Sequence, residues 1–495
     1  VLVASLTRAA AAEVAGRDLP LPKDRIGTLH AHAYRALGLP KIAETKNVAI
    51  EFNDQHPELA LSSLSVDLED TPRVEDYRKH RNGDQSFAMY NLLRARMTPR
   101  EFWPESVANF AAHWERWKAE SDVLDFEDLI QRARTDCQTA PGRPALIYGD
   151  EAQDWSRSEH DLMDRWAEHA MSLVITGDWD QNIYSWRGSD PNAINEISKD
   201  PKHFKVLSQS YRVPRAVHAL AERWISRIVG RVKAEYLPRD FDGEVIRRSS
   251  TYKYPAGLAQ TAGEYLARGK TVMILAACSH MIDPIKHELK QRAVPFHNPH
   301  RIKRGDWQFL RPAKRLIDYL RPDVRTFDGQ ARNWTWKELN SWLHLLKAEG
   351  NLIRGAKTGI AEFAKLKERK NEVLTQADLD SVFEQVPRPG DIPWLEQRMK
   401  TDDRQRMAHV FRLAAEQPKK LIETPRLTIG TIHSVKGGQA DVVILLPDLS
   451  EQGYIQWSRG GEGRDAVVRQ FYVGMTRARE TLVICRGSSG MAVRI

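Results

Sequence analysis

Three pieces of one stretch decide the fold: LIYGDEAQDWS (146–156), VITGDWDQNIYSWRG (174–188) and VLSQSYR (206–212). Leu146, Ile147 and Tyr148 form an apolar run that stops at Gly149-Asp150-Glu151. Leu173, Val174, Ile175 and Thr176 form a second, which stops at Gly177-Asp178. Val206-Leu207 form a third, which leads to Tyr211-Arg212. Short apolar runs closed by glycine or polar residues predict buried strands of a parallel sheet. Ligands of such sheets bind beyond the carboxyl ends of the strands. The three ends deliver Asp150 and Glu151, Gln181, and Arg212 toward one crevice. Two acids, an amide and a guanidinium are the groups that phosphoryl transfer requires. Asp150 is placed to hold Mg²⁺, directly or through water, and Glu151 to take a proton from attacking water. Gln181 would sense a terminal phosphate and Arg212 would neutralise its charge.

These pieces resemble motifs II, III and IV of superfamily 1 DNA helicases of the UvrD/Rep/PcrA type. Four further blocks resemble the family in its own order. VLVASLTRAAAAEV (1–14) is similar to motif Ia and IGTLHAHAYRALG (26–38) to motif Ib. LTIGTIHSVKGGQADVVIL (427–445) is similar to motif V and FYVGMTRARETLVI (471–484) to motif VI. An acid pair alone is common; seven ordered blocks over nearly the whole chain are specific.

The resemblance implies an α/β chain of two RecA-like parallel-sheet domains, each with a helical insertion. Residues 1–39 and 122–205 are expected to form the first, interrupted by a helical insertion over 40–121. Residues 206–322 and 421–495 are expected to form the second, interrupted by a shorter helical insertion over 323–420. Trp103, Trp114 and Trp117 fall in the first insertion and are expected in its core. The short block Asp125–Leu129 is expected to open a helix.

The same resemblance implies ATP as substrate, with Mg²⁺. Tyr211 would stack on adenine, while Arg212 and Arg477 would point at the terminal phosphate. Gln439 stands where the family has a glutamate that meets the ribose; it keeps a hydrogen bond and loses the charge. Arg479 is expected to be structural. Single-stranded DNA would meet Thr7, Arg8, Thr28, His30, Thr431 and His433. Trp186 would stack on a base with Tyr184 beside it, since aromatic–base stacking is worth ~1–3 kcal/mol without sequence preference. Some have a plainer alternative: Thr7 as a helix cap and Trp186 as an aromatic under the sheet; His30-x-His32 reads as one polar and one packed histidine rather than a metal site. The implied partners are single-stranded DNA and ss/ds DNA junctions, with 3′→5′ movement, no membrane, and repair or replication proteins left open. The implied place is the cytoplasm, on the nucleoid or as a phage-encoded protein.

Composition fits without deciding. The net charge of +8 over 495 residues permits a polyanionic partner. Three distant cysteines offer neither a disulfide framework nor zinc spacing, which fits a reducing compartment. No apolar run reaches the ~18 residues of a membrane helix.

No GxxxxGK[ST] loop precedes the motif Ia block. Gly269-Lys270-Thr271 mimics the end of one, but it follows a helix and precedes a strand, the reverse of a phosphate loop. It reads as a helix-ending glycine. The chain opening at Val1 suggests a fragment lacking that loop and nearly inactive alone. The rival from another class is a DNA-binding or scaffolding protein of helicase ancestry without a motor. A helicase–nuclease fusion is a third alternative, requiring more chain after 495.

Overall fold

The computed structural model describes residues 1–495 apart from 7–10, 12–13, 17–18, 45, 62–81, 190–202, 300–310, 324, 326, 328–330 and 348. Apolar runs too short for helices build two parallel sheets. The first contains β1 (Leu2–Ser5), β2 (Ile26–Thr28), β3 (Leu146–Asp150) and β4 (Ser172–Ile175), in the order β2-β1-β3-β4. A two-stranded parallel ribbon follows, β5 (Gln209–Pro214) with β6 (Leu237–Arg239). The second sheet contains β7 (Glu244–Arg248), β8 (Val272–Ala276), β9 (Leu427–Thr431), β10 (Ala440–Leu445) and β11 (Ala478–Cys485), in the order β7-β11-β10-β8-β9. β8 is buried at every position and β10 at all but one. Continuous apolar sequence is what a strand covered on both faces needs. The α/β class with two parallel sheets is therefore what the chain forms.

Two strand expectations change. Val206 and Leu207 are exposed and lie outside any strand; β5 begins two residues later, at Gln209. Two apolar residues between Lys205 and Ser208 cannot bury themselves on a sheet, and β5 pairs with β6 instead of joining either sheet. β4 is not fully buried: it lies at an end of the strand order, and Ser172 and Val174 are exposed. The Gly269 expectation holds. That glycine ends the helix Ala256–Ala267 with φ +76°, and Lys270 pairs with Glu480 at 2.6 Å.

Helical cores form beside the sheets. Phe52, Phe87, Phe110, Trp114 and Trp117 pack together in the first, so both of those tryptophans are core residues as expected. Trp103 is half-buried and donates its indole N–H to the Thr98 carbonyl at 2.9 Å. Asp125 caps the helix Phe126–Asp136 in a reciprocal capping box with Asp128. The second helical core gathers Trp334, Trp342, Phe383 and Trp394. It also takes Leu316, Tyr319 and Leu320 from the helix Arg311–Leu320. The insertion expected over 323–420 thus draws the preceding helix into its core, because Trp334 stacks on Tyr319 at 5.4 Å.

One apolar core joins the two sheets. It runs from Leu2 and Ile147 through Tyr184 and Val213 to Val443, Phe471 and Leu482. Side chains at the carboxyl ends of β3 and β4 therefore meet β5 and the turn after β9 across a shared boundary.

Candidate functional site

β3 ends on Gly149-Asp150, and a Cβ on Gly149 would run into the Trp155 ring. Glycine there lets Trp155 pack beneath the strand end. The next residue, Glu151, is in the left-handed region at φ 57°, a conformation costing about 1 kcal/mol or more for a residue with a Cβ. That twist turns the chain sharply, so that Asp150 and Glu151 point into different surroundings. Asp150 accepts from the Thr176 hydroxyl at 2.8 Å. Glu151 accepts from the Gln153 amide at 2.5 Å and faces the Lys436 ammonium at 3.4 Å.

Past β4, the turn Trp179–Gln181 is capped by Asp178. Gln181 is held at both ends of its amide: its Nε2 donates to Asp178 at 2.7 Å, and its Oε1 accepts from Arg477 Nη2 at 2.6 Å. Arg477 follows the helix Gly461–Met475 and is 1% exposed. Its Nε donates to the Val473 carbonyl at 3.0 Å. Gln181 and Arg477, 296 residues apart in sequence, thus join the two lobes.

Asp178, Gln181, Ser210, Tyr211, Arg212, Tyr236, Gln439 and Arg479 line an open cleft of about 440 Å³ beside this contact. The structure therefore brings Gln181, Tyr211, Arg212 and Gln439 around one opening, with Arg477 bonded to Gln181 beside it. Tyr211 is 85% exposed, its ring open for a flat partner. Arg479, expected to be structural, is an exposed wall residue of this cleft.

Electrostatics favour an anion here. Burial, with Arg212 nearby, pushes the Arg477 guanidinium down to about 9. Burial pushes the Glu151 carboxyl up, but Lys436, the Gln153 hydrogen bond and Arg477 together hold it below the usual carboxylate range. Among the described residues, nothing hydrogen-bonds the buried Arg212 Nε. An orphaned guanidinium donor beside two further arginines fits a phosphate group. Among the described residues no three potential ligands cluster for a metal. Mg²⁺ at Asp150 would then take its other ligands from water and phosphate, its usual habit.

The residues expected to meet DNA divide into three groups. Tyr184, Trp186 and His433 come together: the Tyr184 hydroxyl donates to the His433 carbonyl at 3.3 Å, and its ring lies 6.2 Å from that of Trp186. Tyr184 is buried and Trp186 half-buried. Thr28 and Thr431 serve local turns, Thr28 as the cap of the helix Leu29–Ala36 and Thr431 as an acceptor for the Ser434 N–H. His30 is buried against Glu159 at 3.4 Å, and burial lowers its pKa to about 4. Its neighbour His32 contacts the Val3 carbonyl at 3.0 Å. Thr7 and Arg8 lie outside the described residues.

Comparison with known proteins fixes the lineage. A model of the UvrD/REP helicase N-terminal domain matches residues 1–202, and a model of the UvrD-like helicase C-terminal domain matches residues 390–489. The chain belongs to the UvrD/Rep/PcrA-type superfamily 1 helicases. Among similar proteins, the ATP-dependent DNA helicase PcrA of Leuconostoc citreum is 26% identical over 248 residues, 43% of this chain and 31% of that protein. The PcrA helicase of Bacillus subtilis is 30% identical over 125 residues, 23% of this chain and 17% of that protein. The match to this helicase-family chain thus spans less than a third of either relative.

Several residues of the site escaped the sequence reading. Asp154 and Lys436 form a buried cross-lobe ion pair. Arg231 reaches across the boundary to Asp180 at 2.5 Å. Ser210 and Tyr236 line the cleft. Asp154 and Lys436 stand inside recognisable blocks, so position alone could have flagged them. Arg231 sits in a stretch with no periodicity or motif.

Proposed function

We propose that the protein containing this chain is an ATP-dependent DNA helicase, a DNA-stimulated ATPase that moves 3′→5′ on single-stranded DNA and opens duplexes at junctions. The observation that supports this most is the Gln181–Arg477 contact beside the arginine-rich cleft. It sets a phosphate-sensing amide of one lobe against a guanidinium of the other. Glu151 is the general base for the attacking water, its ionised form favoured by Lys436 and Arg477. Arg212 and Arg477 stabilise charge that builds on the transferred phosphoryl group. Tyr211 offers a face to the adenine, and Gln439 a hydrogen bond to the sugar. Asp150 holds Mg²⁺, which supplies charge neutralisation on the phosphates.

Residues from both lobes line the cleft, so a bound triphosphate draws the lobes together and hydrolysis releases them. Trp186, at the lobe boundary, grips DNA through stacking. Thr7, Arg8, Thr28, His30, Thr431 and His433 remain the proposed DNA face. Of these, His30 would act by supporting Arg187 through Glu159. The domain plan of two RecA-like lobes with two insertions stands as our division, and the place of action is the cytoplasm.

The phosphate cradle itself has to come from a glycine-rich loop, and residues 1–495 hold no GxxxxGK[ST]. The activity is therefore assigned to a chain that includes one. The test is ATP hydrolysis with and without single-stranded DNA in such a chain. Glu151→Gln should still bind ATP but lose roughly 10²-fold or more of the stimulated rate. Absence of DNA-stimulated hydrolysis in the intact chain would leave the motor-less DNA-binding reading as the better one.

A further inference from the structure

The register between β10 and β11 slips once. Ala440 stands opposite Ala478, yet Val442 stands opposite Thr481. One residue of β10, Asp441, therefore faces two of β11, Arg479 and Glu480. Such a bulge bends its strand and re-aims the side chains on it. This one lies beside the cleft, whose wall includes both Arg479 and Gln439, the residue just before β10.

The acids next to Arg479 are already engaged. Asp441 accepts from the Thr271 N–H at 2.9 Å and from the Thr271 hydroxyl at 2.8 Å. Glu480 pairs with Lys270 at 2.6 Å. The Arg479 carbonyl accepts from Arg239 Nη2 at 2.6 Å, which anchors the backbone of the bulge. The Arg479 side chain is exposed, and among the described residues no hydrogen bond or ion pair holds its guanidinium. A fork of donors is thus left open toward the cleft, in the geometry that suits a phosphate.

Position says which phosphate it meets. The terminal one is assigned above to the other side of the cleft, where Arg477 bonds Gln181 at 2.6 Å. Burial, then Arg212 and Glu151, act most on the Arg477 guanidinium. Arg479 acts elsewhere: burial pushes the Asp441 carboxyl up, but the Thr271 bonds and Arg479 hold it below the usual carboxylate range. Gln439 is the proposed sugar contact, and the pairing of Ala440 with Ala478 sets Gln439 and Arg479 at the starts of neighbouring strands. The anion beside the sugar of a bound nucleotide is its first phosphate.

We propose that Arg479 binds the phosphate nearest the sugar of the nucleotide, and so holds ATP and ADP alike. This rests on the ATPase reading above. The contact is the same before and after the terminal phosphate leaves. It therefore adds affinity for substrate and product, and leaves the chemical step to Arg212 and Arg477.

The experiment uses the intact chain and its Arg479→Ala and Arg479→Lys variants. Arg479→Ala should raise KM for ATP about 10-fold, with a much smaller change in kcat. Equilibrium binding of ADP and of a slowly hydrolysed ATP analogue should weaken by a similar factor. Arg479→Lys, which keeps the charge, should recover part of the affinity. Arg212→Ala, by contrast, should weaken the analogue more than ADP. Unchanged ADP affinity in Arg479→Ala overturns the proposal, as does a loss confined to kcat. Arg479→Gln serves if the alanine variant does not fold. Wild-type protein that binds ADP but hydrolyses no ATP would defeat the helicase reading instead, and the ADP arm would still decide the role of Arg479. Wild-type protein that binds neither nucleotide overturns both.

Discussion

Replacing Arg231 by alanine should loosen the boundary between the lobes. The guanidinium Nε donates to both oxygens of Asp180 at 2.9 Å, Nη2 reaches Asp180 at 2.5 Å, and Nη1 reaches Glu222 at 3.1 Å. The side chains of Arg231 and Asp180 are 8% and 11% exposed. An exposed pair would be worth about 1 kcal/mol or less, whereas removing one partner of a buried pair costs about 3–5 kcal/mol. The remaining exposure favours the lower end, about 3 kcal/mol, because Asp180 would be left buried beside Asp178. Burial already holds the Asp180 carboxyl above its ordinary range, even against the pull of Arg231. Without the arginine it rises further. The folded state then keeps a proton that the unfolded chain releases, so stability present at low pH is lost as pH rises through the folded pKa. The deficit of Arg231→Ala should therefore shrink between pH 7 and pH 5. The assay is urea unfolding followed by tryptophan emission, Trp179 lying next to Asp180. Adding Asp180→Asn should return roughly 2 kcal/mol, since the stranded charge is gone. A loss under about 1 kcal/mol, independent of pH and not rescued by Asp180→Asn, would refute the view that this pair closes a dry boundary.

Two other outcomes are expected. Trp186→Ala should reduce DNA-driven translocation and DNA affinity more than basal ATPase; stopped-flow translocation against steady-state hydrolysis separates them, and equal losses would assign the ring to packing. Glu127 is half-buried, and desolvation pushes its carboxyl up to about 8 while Arg94 and Ser158 pull it back. The folded state thus holds a proton the unfolded chain loses from about 4.5 upward, so this contribution is present below that pH and gone above about 8. Glu127→Gln should accordingly gain on wild type in thermal melts as pH rises from 5 to 8.5; a pH-independent difference would contradict it.

The sequence was most legible where backbone geometry and chemistry coincide. A strand that ends on Gly149-Asp150-Glu151 has to present its acids at the carboxyl end of the sheet, so their place followed from the pattern. The pair Asp125–Asp128 was readable as a helix opening for the same local reason. Contacts across the lobe boundary were not legible. Lys436 and Asp154 are separated by 282 residues, and nothing local says that an ammonium in one block fills an acid pocket in another. Val206-Leu207 misled because two apolar residues resemble a strand start, while burial depends on what covers them. Tyr184 was expected beside a stacking Trp186, and its burial by packing against His433 was not legible from the aromatic, charged block. Arg479 was expected to be structural, but β11 starts at Ala478 and alternation turns the next side chain out toward the cleft.

The central claim is that acids of one lobe and guanidiniums of the other close over one nucleoside triphosphate. Its most direct test is a structure of the intact chain with Mg²⁺ and a slowly hydrolysed ATP analogue. The account expects the terminal phosphate among Gln181, Arg212 and Arg477, with Glu151 facing it and Tyr211 on the base. A nucleotide bound elsewhere, or one that leaves the Gln181–Arg477 contact and the orphaned Arg212 Nε untouched, would contradict it.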